Sequence, residues 1–191
     1  NQNSGNVEWY TPKKIVRVAT RLMGVITLDP ACSAHAFEYQ GEHAESYYYE
    51  KGLSLMWWGN VWLNPPFGLE IKDWIARLVK LYKEGEVKQA CCITFNSTET
   101  DWGQMLLPYP QYFFKRRVKY IDSDKLRGII RLDKNGKPKK KSSATNGSVF
   151  TWLTPQRIDY DLALIKLHNE MSWAGFQGRS EEHTSELQSQ R

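Results

Sequence analysis

Asn64-Pro65-Pro66-Phe67 follows directly on the apolar run Val61-Trp62-Leu63 and precedes an amphipathic stretch. Two consecutive prolines fix the backbone and remove two N–H donors. What remains is a rigid row of acceptors, the Asn64 side-chain oxygen and the Pro65 carbonyl. A planar amino group has two donors, and this row holds both. Phe67 adds a flat face for a planar ring. The segment offers no acid, nucleophile or metal ligand. Its residue types suit group transfer onto an amine nitrogen better than hydrolysis.

Those residues need a scaffold that presents them. Thr11 is placed to cap a helix with Pro12 at its first position, Ile15, Val18, Ala19 and Leu22 on one face, and Gly24 after its end. A short strand ends at Asp29, before the turn Pro30-Ala31-Cys32-Ser33, and Glu45 to Leu53 holds another. Ile71, Trp74, Ile75, Leu78, Val79 and Tyr82 share a helical face that Gly85 terminates. Gln89 to Phe95 is a continuous apolar run, as expected of a strand buried on both faces. A polar turn and short helix follow, stopped near Pro108; one or two strands lie in "YFFKRRVKYI", and Ser148 to Leu153 is a last strand. Strands alternating with helices predict an α/β domain, with a mostly parallel central sheet and helices on both faces. In such a sheet ligands bind beyond the carboxyl ends of the strands, where Asn64 to Phe67 stand.

Composition bounds the function. The chain has 191 residues, 41% hydrophobic and 25% charged, enough for one domain with a core. No run of about eighteen apolar residues is present, so no membrane helix is expected, and no signal-peptide pattern stands at the start. Three cysteines, Cys91 and Cys92 adjacent in an apolar run, read as reduced core residues of an intracellular protein. His35, His43 and His168 lack metal-ligand spacing. Charge is uneven: between Lys115 and Lys141, twelve Lys or Arg face three Asp, a net +9, leaving −4 for the rest. A concentrated basic segment is the footprint of a polyanion contact; a solvated loop is the alternative. The chain opens on Asn rather than Met and is read as a piece. Residues 179–191 resemble the translation of a sequencing-library adapter and are set aside as non-native.

[Asn/Asp/Ser]-Pro-Pro-[Tyr/Phe/Trp] is the catalytic motif of amino-methyltransferases that use S-adenosylmethionine. With "EWYTP" before a helix, "LDPAC" after the first strand, "VWLNPPFG" and "NGSVFTWL", the chain resembles the phage-type, Dam-like DNA N6-adenine methyltransferases over roughly residues 8 to 153. The resemblance implies a single Rossmann-like methyltransferase domain over 8–170, with a basic hairpin insertion for target recognition at about 115–147. It implies that Asn64, Pro65, Pro66 and Phe67 are catalytic. Trp9, Tyr10, Thr11 and Pro12, then Asp29, Pro30 and Ala31, match cofactor motifs. Trp9 or Tyr10 would attract the sulfonium, with a place in the core as the alternative. The FxGxG turn is absent, as in the resembled family. Where an adenosine-binding acid is expected, Lys51 is basic, and Glu50 stands as the substitute.

The implied partner is double-stranded DNA, from which the adenine must flip out. Arg116, Arg117, Lys119, Lys125, Arg127, Arg131, Lys137, Lys139, Lys140 and Lys141 are the candidate DNA contacts, with Asn135-Gly136 as a hairpin turn. Arg127 and Arg131 are assigned to base edges, and the lysines beyond the turn, Lys137 to Lys141, to phosphates. No metal is expected, and the protein is read as a cytoplasmic monomer of a phage-infected or prophage-bearing host. Similar enzymes methylate RNA, cytosine N4 or a protein glutamine; a catalytically silent DNA-binding module is the reading from another class.

Overall fold

The computed structural model describes residues 9–122, 128, 135, 137 and 147–178. Six strands form the central sheet: β2 (Leu28–Asp29), β3 (Ser46–Tyr47), β4 (Gly59–Leu63), β5 (Val87–Phe95), β6 (Gln111–Phe113) and β8 (Ser148–Leu153). Their spatial order is β3-β2-β4-β5-β8-β6. The first four pair in parallel, while β8 is antiparallel to both its neighbours. β6 therefore runs with the parallel set, and β8 alone is reversed. A separate antiparallel ribbon pairs β1 (Trp9–Tyr10) with β7 (Ile121–Asp122).

The central strands are apolar on both faces because both are covered. Val61 and Leu63 of β4, with Ala90 and Cys92 of β5, pack against α3 (Ile71–Glu84). Trp62, Cys91 and Ile93 point the other way, into a cluster with α1 (Lys13–Met23) and α5 (Tyr160–Trp173). All six residues of β8 are buried. The short helices α2 (Ala34–Gln40) and α4 (Asp101–Gln104) follow β2 and β5. Each buried Leu, Ile or Val contributes about 1.5–3 kcal/mol, so the five buried residues of α3 tie it firmly to the sheet. Gly85 ends that helix in the left-handed region at φ 82°.

The start of α1 differs from expectation. Pro12 has φ −55° and ψ 134°, extended rather than helical, so it takes the cap position and the helix begins at Lys13. Thr11 does not cap: it is fully buried, and its hydroxyl has no hydrogen-bond partner among the described residues. The first turn is closed instead by the Ile15 N–H donating to the Pro12 carbonyl at 2.9 Å. α4 is capped by Thr100, whose hydroxyl accepts from the Gly103 N–H at 3.1 Å.

Sequence patterning did not supply α5. Asp159 caps it by accepting from the Asp161 and Leu162 amides at 3.0 and 3.1 Å. Ala163, Leu167 and Met171, four apart, are its fully buried stripe. Leu162, Ile165 and Trp173 are exposed, and apolar residues on both sides blur the periodicity. Beyond α5, the Lys115 N–H donates to the Gln177 carbonyl at 2.9 Å, and Phe114 bridges Gly178. A Cβ at Gly178 would come within 2.8 Å of the Tyr112 ring, so only glycine lets the segment lie this close.

Cys32, Cys91 and Cys92 are free thiols, all buried. Burial pushes the Cys92 thiol from its ordinary 9.0 up to about 12, and the Tyr112 phenol from 10.0 to about 12. Cys91 is also raised, by burial first and then by Cys92. Above 9.0 the unfolded chain loses thiol protons that the folded chain keeps, so stability is fully present below that pH and drains as pH rises. Thermal melts should hold level from neutral pH to 9.0 and fall steadily above it. Replacing Cys91 and Cys92 by Ala should flatten the alkaline decline; an unaltered slope would show that the buried thiols do not cause it.

Candidate active site at the carboxyl edge of the sheet

From β2 the chain moves to β3 on one side, then crosses back to β4 on the other and on to β5. Connections therefore diverge between β2 and β4, which is where open α/β sheets form a crevice. The loops after β2, β3 and β4 meet there around a cleft of about 280 Å³, near the lower end of the range for small-molecule sites. Trp9, Tyr10, Asp29, Pro30, Ala31, Glu50, Asn64, Pro65, Pro66 and Phe67, all singled out from sequence, line it. Thr11 lies behind this wall, and Pro12 lines a different groove.

Asn64 and Trp9 are 55 positions apart, and the Asn64 amide nitrogen donates to the Trp9 carbonyl at 3.1 Å. Since a carbonyl only accepts, the amide orientation is fixed by chemistry. Its oxygen, Oδ1, is left buried with no partner among the described residues. A buried unpaired acceptor costs about 1–3 kcal/mol, and such groups concentrate where a ligand supplies the missing donor. Pro65 and Pro66, lacking N–H groups, cannot fill that role.

Phe67 is held by rings. Phe95 stacks on it with centroids 4.2 Å apart and planes at 23°, and Tyr120 lies at 5.7 Å and 76°. The Tyr120 hydroxyl sits 3.1 Å from the Ser148 hydroxyl, and burial holds the phenol protonated far above its usual range. One face of Phe67 is thus already spent, leaving at most the other for a planar ligand.

Asp29 is fixed at both carboxylate oxygens. Oδ1 accepts from the Ala31 N–H at 3.1 Å, and Oδ2 meets His43 Nε2 at 2.8 Å. His43 Nδ1 lies 3.0 Å from the Gly41 carbonyl, so both ring nitrogens face acceptors. The His43 and Asp29 side chains are 7% and 6% exposed. Sequence reasoning left His43 among ordinary residues, because this pairing spans 14 positions and follows no ligand spacing. Beside it, burial and then the Asp29 charge push the Cys32 thiol far up, so no thiolate is available near neutral pH.

Two further lining residues lay outside the sequence motifs. The Gln40 amide nitrogen donates to the Thr11 carbonyl at 3.3 Å, and its buried oxygen has no partner among the described residues. A Cβ on Gly52 would collide with the Pro30 carbonyl oxygen and come within 2.8 Å of the Trp74 ring. Gly52 therefore lets the β3 loop pass against the β2 turn, and Lys51 before it adopts φ 55°. Glu50 and Lys51 both line the cleft. With two unspent amide oxygens in its lining, the cleft favours a ligand rich in donors.

The described basic candidates are not part of this cleft. Arg116, Arg117 and Lys119 line a second groove, and Lys137 is exposed. Lys125, Arg127, Arg131, Lys139, Lys140 and Lys141 lie outside the described residues, as does Gly136 of the expected hairpin turn. Among the described residues no group of three or more His, Cys, Asp or Glu is placed to hold a metal ion, and no helix is long and apolar enough to cross a membrane. No protein-family model matches the chain, and no curated protein matches it significantly.

Removing one partner of a buried pair strands the other. His43→Leu should cost about 3 kcal/mol in urea unfolding, with part of the loss recovered when Asp29→Asn is added. A loss below about 1 kcal/mol, typical of a solvent-exposed pair, would show that His43 does not hold Asp29.

Proposed function

We propose that this protein transfers the methyl group of S-adenosylmethionine to the exocyclic N6 amine of adenine in DNA, within a Rossmann-like methyltransferase domain. The observation that carries the reading is the buried, unpartnered Asn64 Oδ1, aimed by the Trp9 carbonyl and followed by two prolines at the switch point of the sheet.

The cleft's chemistry fits the cofactor. Glu50 is an acid for a ligand with hydroxyls, Asp29 held by Ala31 and His43 fixes the turn beneath it, Gln40 Oε1 is a spare acceptor, and half-buried Trp9 offers a ring to a sulfonium. Tyr10, 4% exposed, belongs to the core cluster as well as the cleft wall. When bound, S-adenosylmethionine supplies an electrophilic methyl on a cationic sulfur, and neutral thioether is the leaving group.

The protein's own part is placement. Asn64 Oδ1 and the Pro65 carbonyl accept the two amine hydrogens, which draws the nitrogen lone pair out of the ring system and aims it at the methyl carbon. Alignment of this kind supplies a large share of a displacement's rate. The nitrogen gains the methyl and sheds one proton, for which the two acceptor oxygens are the first stop toward solvent. Phe67, braced by Phe95, limits the tilt of the base.

Incubation with unmethylated duplex DNA and methyl-labelled cofactor, followed by digestion, should place the label in N6-methyladenosine nucleosides. Label in N4-methylcytosine, RNA or protein would redirect the reading, and cofactor binding without transfer would leave a silent module. Asn64→Ala should lower turnover by about two orders of magnitude, as for loss of one preorganised polar contact, with cofactor affinity nearly unchanged. Turnover within threefold of wild type, roughly 0.6 kcal/mol, would overturn the role of Asn64.

Phe67→Ala should cost on the order of 1–3 kcal/mol of base stacking, whereas Tyr and Trp should be tolerated. Equal losses for all three, accompanied by equal drops in melting temperature, would make Phe67 a packing residue of the Phe95 stack.

A further inference from the structure

We propose that a groove beside the cleft binds the phosphodiester backbone of the DNA strand flanking the extruded base. This rests on the nucleic-acid reading above and assigns it a surface. The groove, about 520 Å³, is lined by Lys14 of α1 and by Arg116, Arg117 and Lys119 after β6, with no Asp or Glu among its described lining residues. None of the four joins an ion pair among the described residues. Like charges gathered within a Debye length, about 10 Å at 0.1 M salt, repel one another. A polyanion relieves that repulsion, and arginine forks match phosphate oxygens bidentately.

Lys14 was not among the basic residues singled out from sequence. It lies far from them in the chain, and its ammonium sits 4.0 Å above the Phe176 ring. Phe176 and Gln177 form the opposite wall, anchored by the Lys115–Gln177 hydrogen bond and the Phe114–Gly178 bridge. The groove is thus a built feature of three segments rather than a run of solvated side chains.

Its position fits a strand whose base enters the cleft. Trp9 and Tyr10 line the cleft, while Pro12 and Lys14 line the groove, so one short ridge of chain separates them. On the other strand of that ridge, Lys119 precedes Tyr120, whose ring meets Phe67, and Ile121–Asp122 then pairs with Trp9–Tyr10. Backbone and flipped base would straddle the β1–β7 ribbon. Contacts of this kind set affinity and register, not sequence.

The test compares wild type with R116Q/R117Q/K119Q and, separately, K14Q, in binding a short labelled DNA duplex and the matching RNA duplex across a salt series. Methyl-donor affinity and melting temperature are measured on the same proteins. The log–log salt slope on DNA should become shallower by up to about 2.7 for the triple variant and about 0.9 for K14Q, at roughly 0.9 per phosphate contact. The loss should be the same for duplexes of different sequence, with methyl-donor affinity and melting temperature unmoved. If wild type binds DNA and the variants keep its slope, the groove is not the backbone site, although the methyl-transfer reading stands. Tighter wild-type binding to the RNA duplex overturns DNA as the occupant. Wild type that binds neither duplex overturns the groove proposal, and the labelled-nucleoside assay then decides the methyl-transfer reading separately.

Discussion

The hydrogen bond from the Asn64 amide to the Trp9 carbonyl determines what the cleft offers a ligand. Without it the amide would be free to turn, and its oxygen and nitrogen would compete for the same space. With it the oxygen is pinned inward as an acceptor that nothing described satisfies. The bond also joins the two most distinctive sequence segments, the one before α1 and the one after β4. Trp9 is in turn held by the antiparallel pairing of β1 with β7. The acceptor's aim therefore depends on a ribbon outside the main sheet, and that ribbon on the chain leaving β6.

An orphaned acceptor is tolerable only if the surroundings outweigh it. A cost of about 1–3 kcal/mol is comparable to burying one large apolar side chain, and the sheet beneath holds many. Val61, Trp62 and Leu63, immediately before Asn64, are all fully buried. The two prolines add stiffness without adding donors, so the loop cannot relax to satisfy Asn64 from within. Rigid strand, rigid turn and fixed amide together keep the site preorganised.

Elements whose signal is local were legible in the sequence. The strands at 87–95 and 148–153 and the helix at 71–84 carry their own periodicity or continuous apolarity, and each is observed close to where it was read. The reversed direction of β8 was not legible, because an apolar strand reads the same whichever way it runs. Thr11 misled because it has the right type for a cap, yet Pro12 stays extended and the hydroxyl turns inward. His43, Gln40 and Lys14 were missed for one shared reason. Each acquires its role from a neighbour distant in the chain, Asp29, Thr11 and Phe176 respectively, and spacing rules do not reach that far. Where the motif itself carried the information, as at Asn64 to Phe67, its position after β4 in the cleft wall was readable.

The charge asymmetry of the sequence also acquires a spatial meaning. The cleft presents Glu50 beside Lys51, a paired Asp29 and two spare amide oxygens, whereas the adjoining groove presents four cations and no acid among its described lining residues. Under the proposed function, a phosphate would be drawn to the groove, whose described lining holds the cations. A base carrying an amino group would meet the buried Asn64 oxygen in the cleft as an acceptor. The two surfaces adjoin along the chain, with Trp9 and Tyr10 lining the cleft and Pro12 and Lys14 the groove. Under the proposed function, this division of charge would sort the parts of a nucleotide, the backbone to the groove and the amino-bearing base to the cleft.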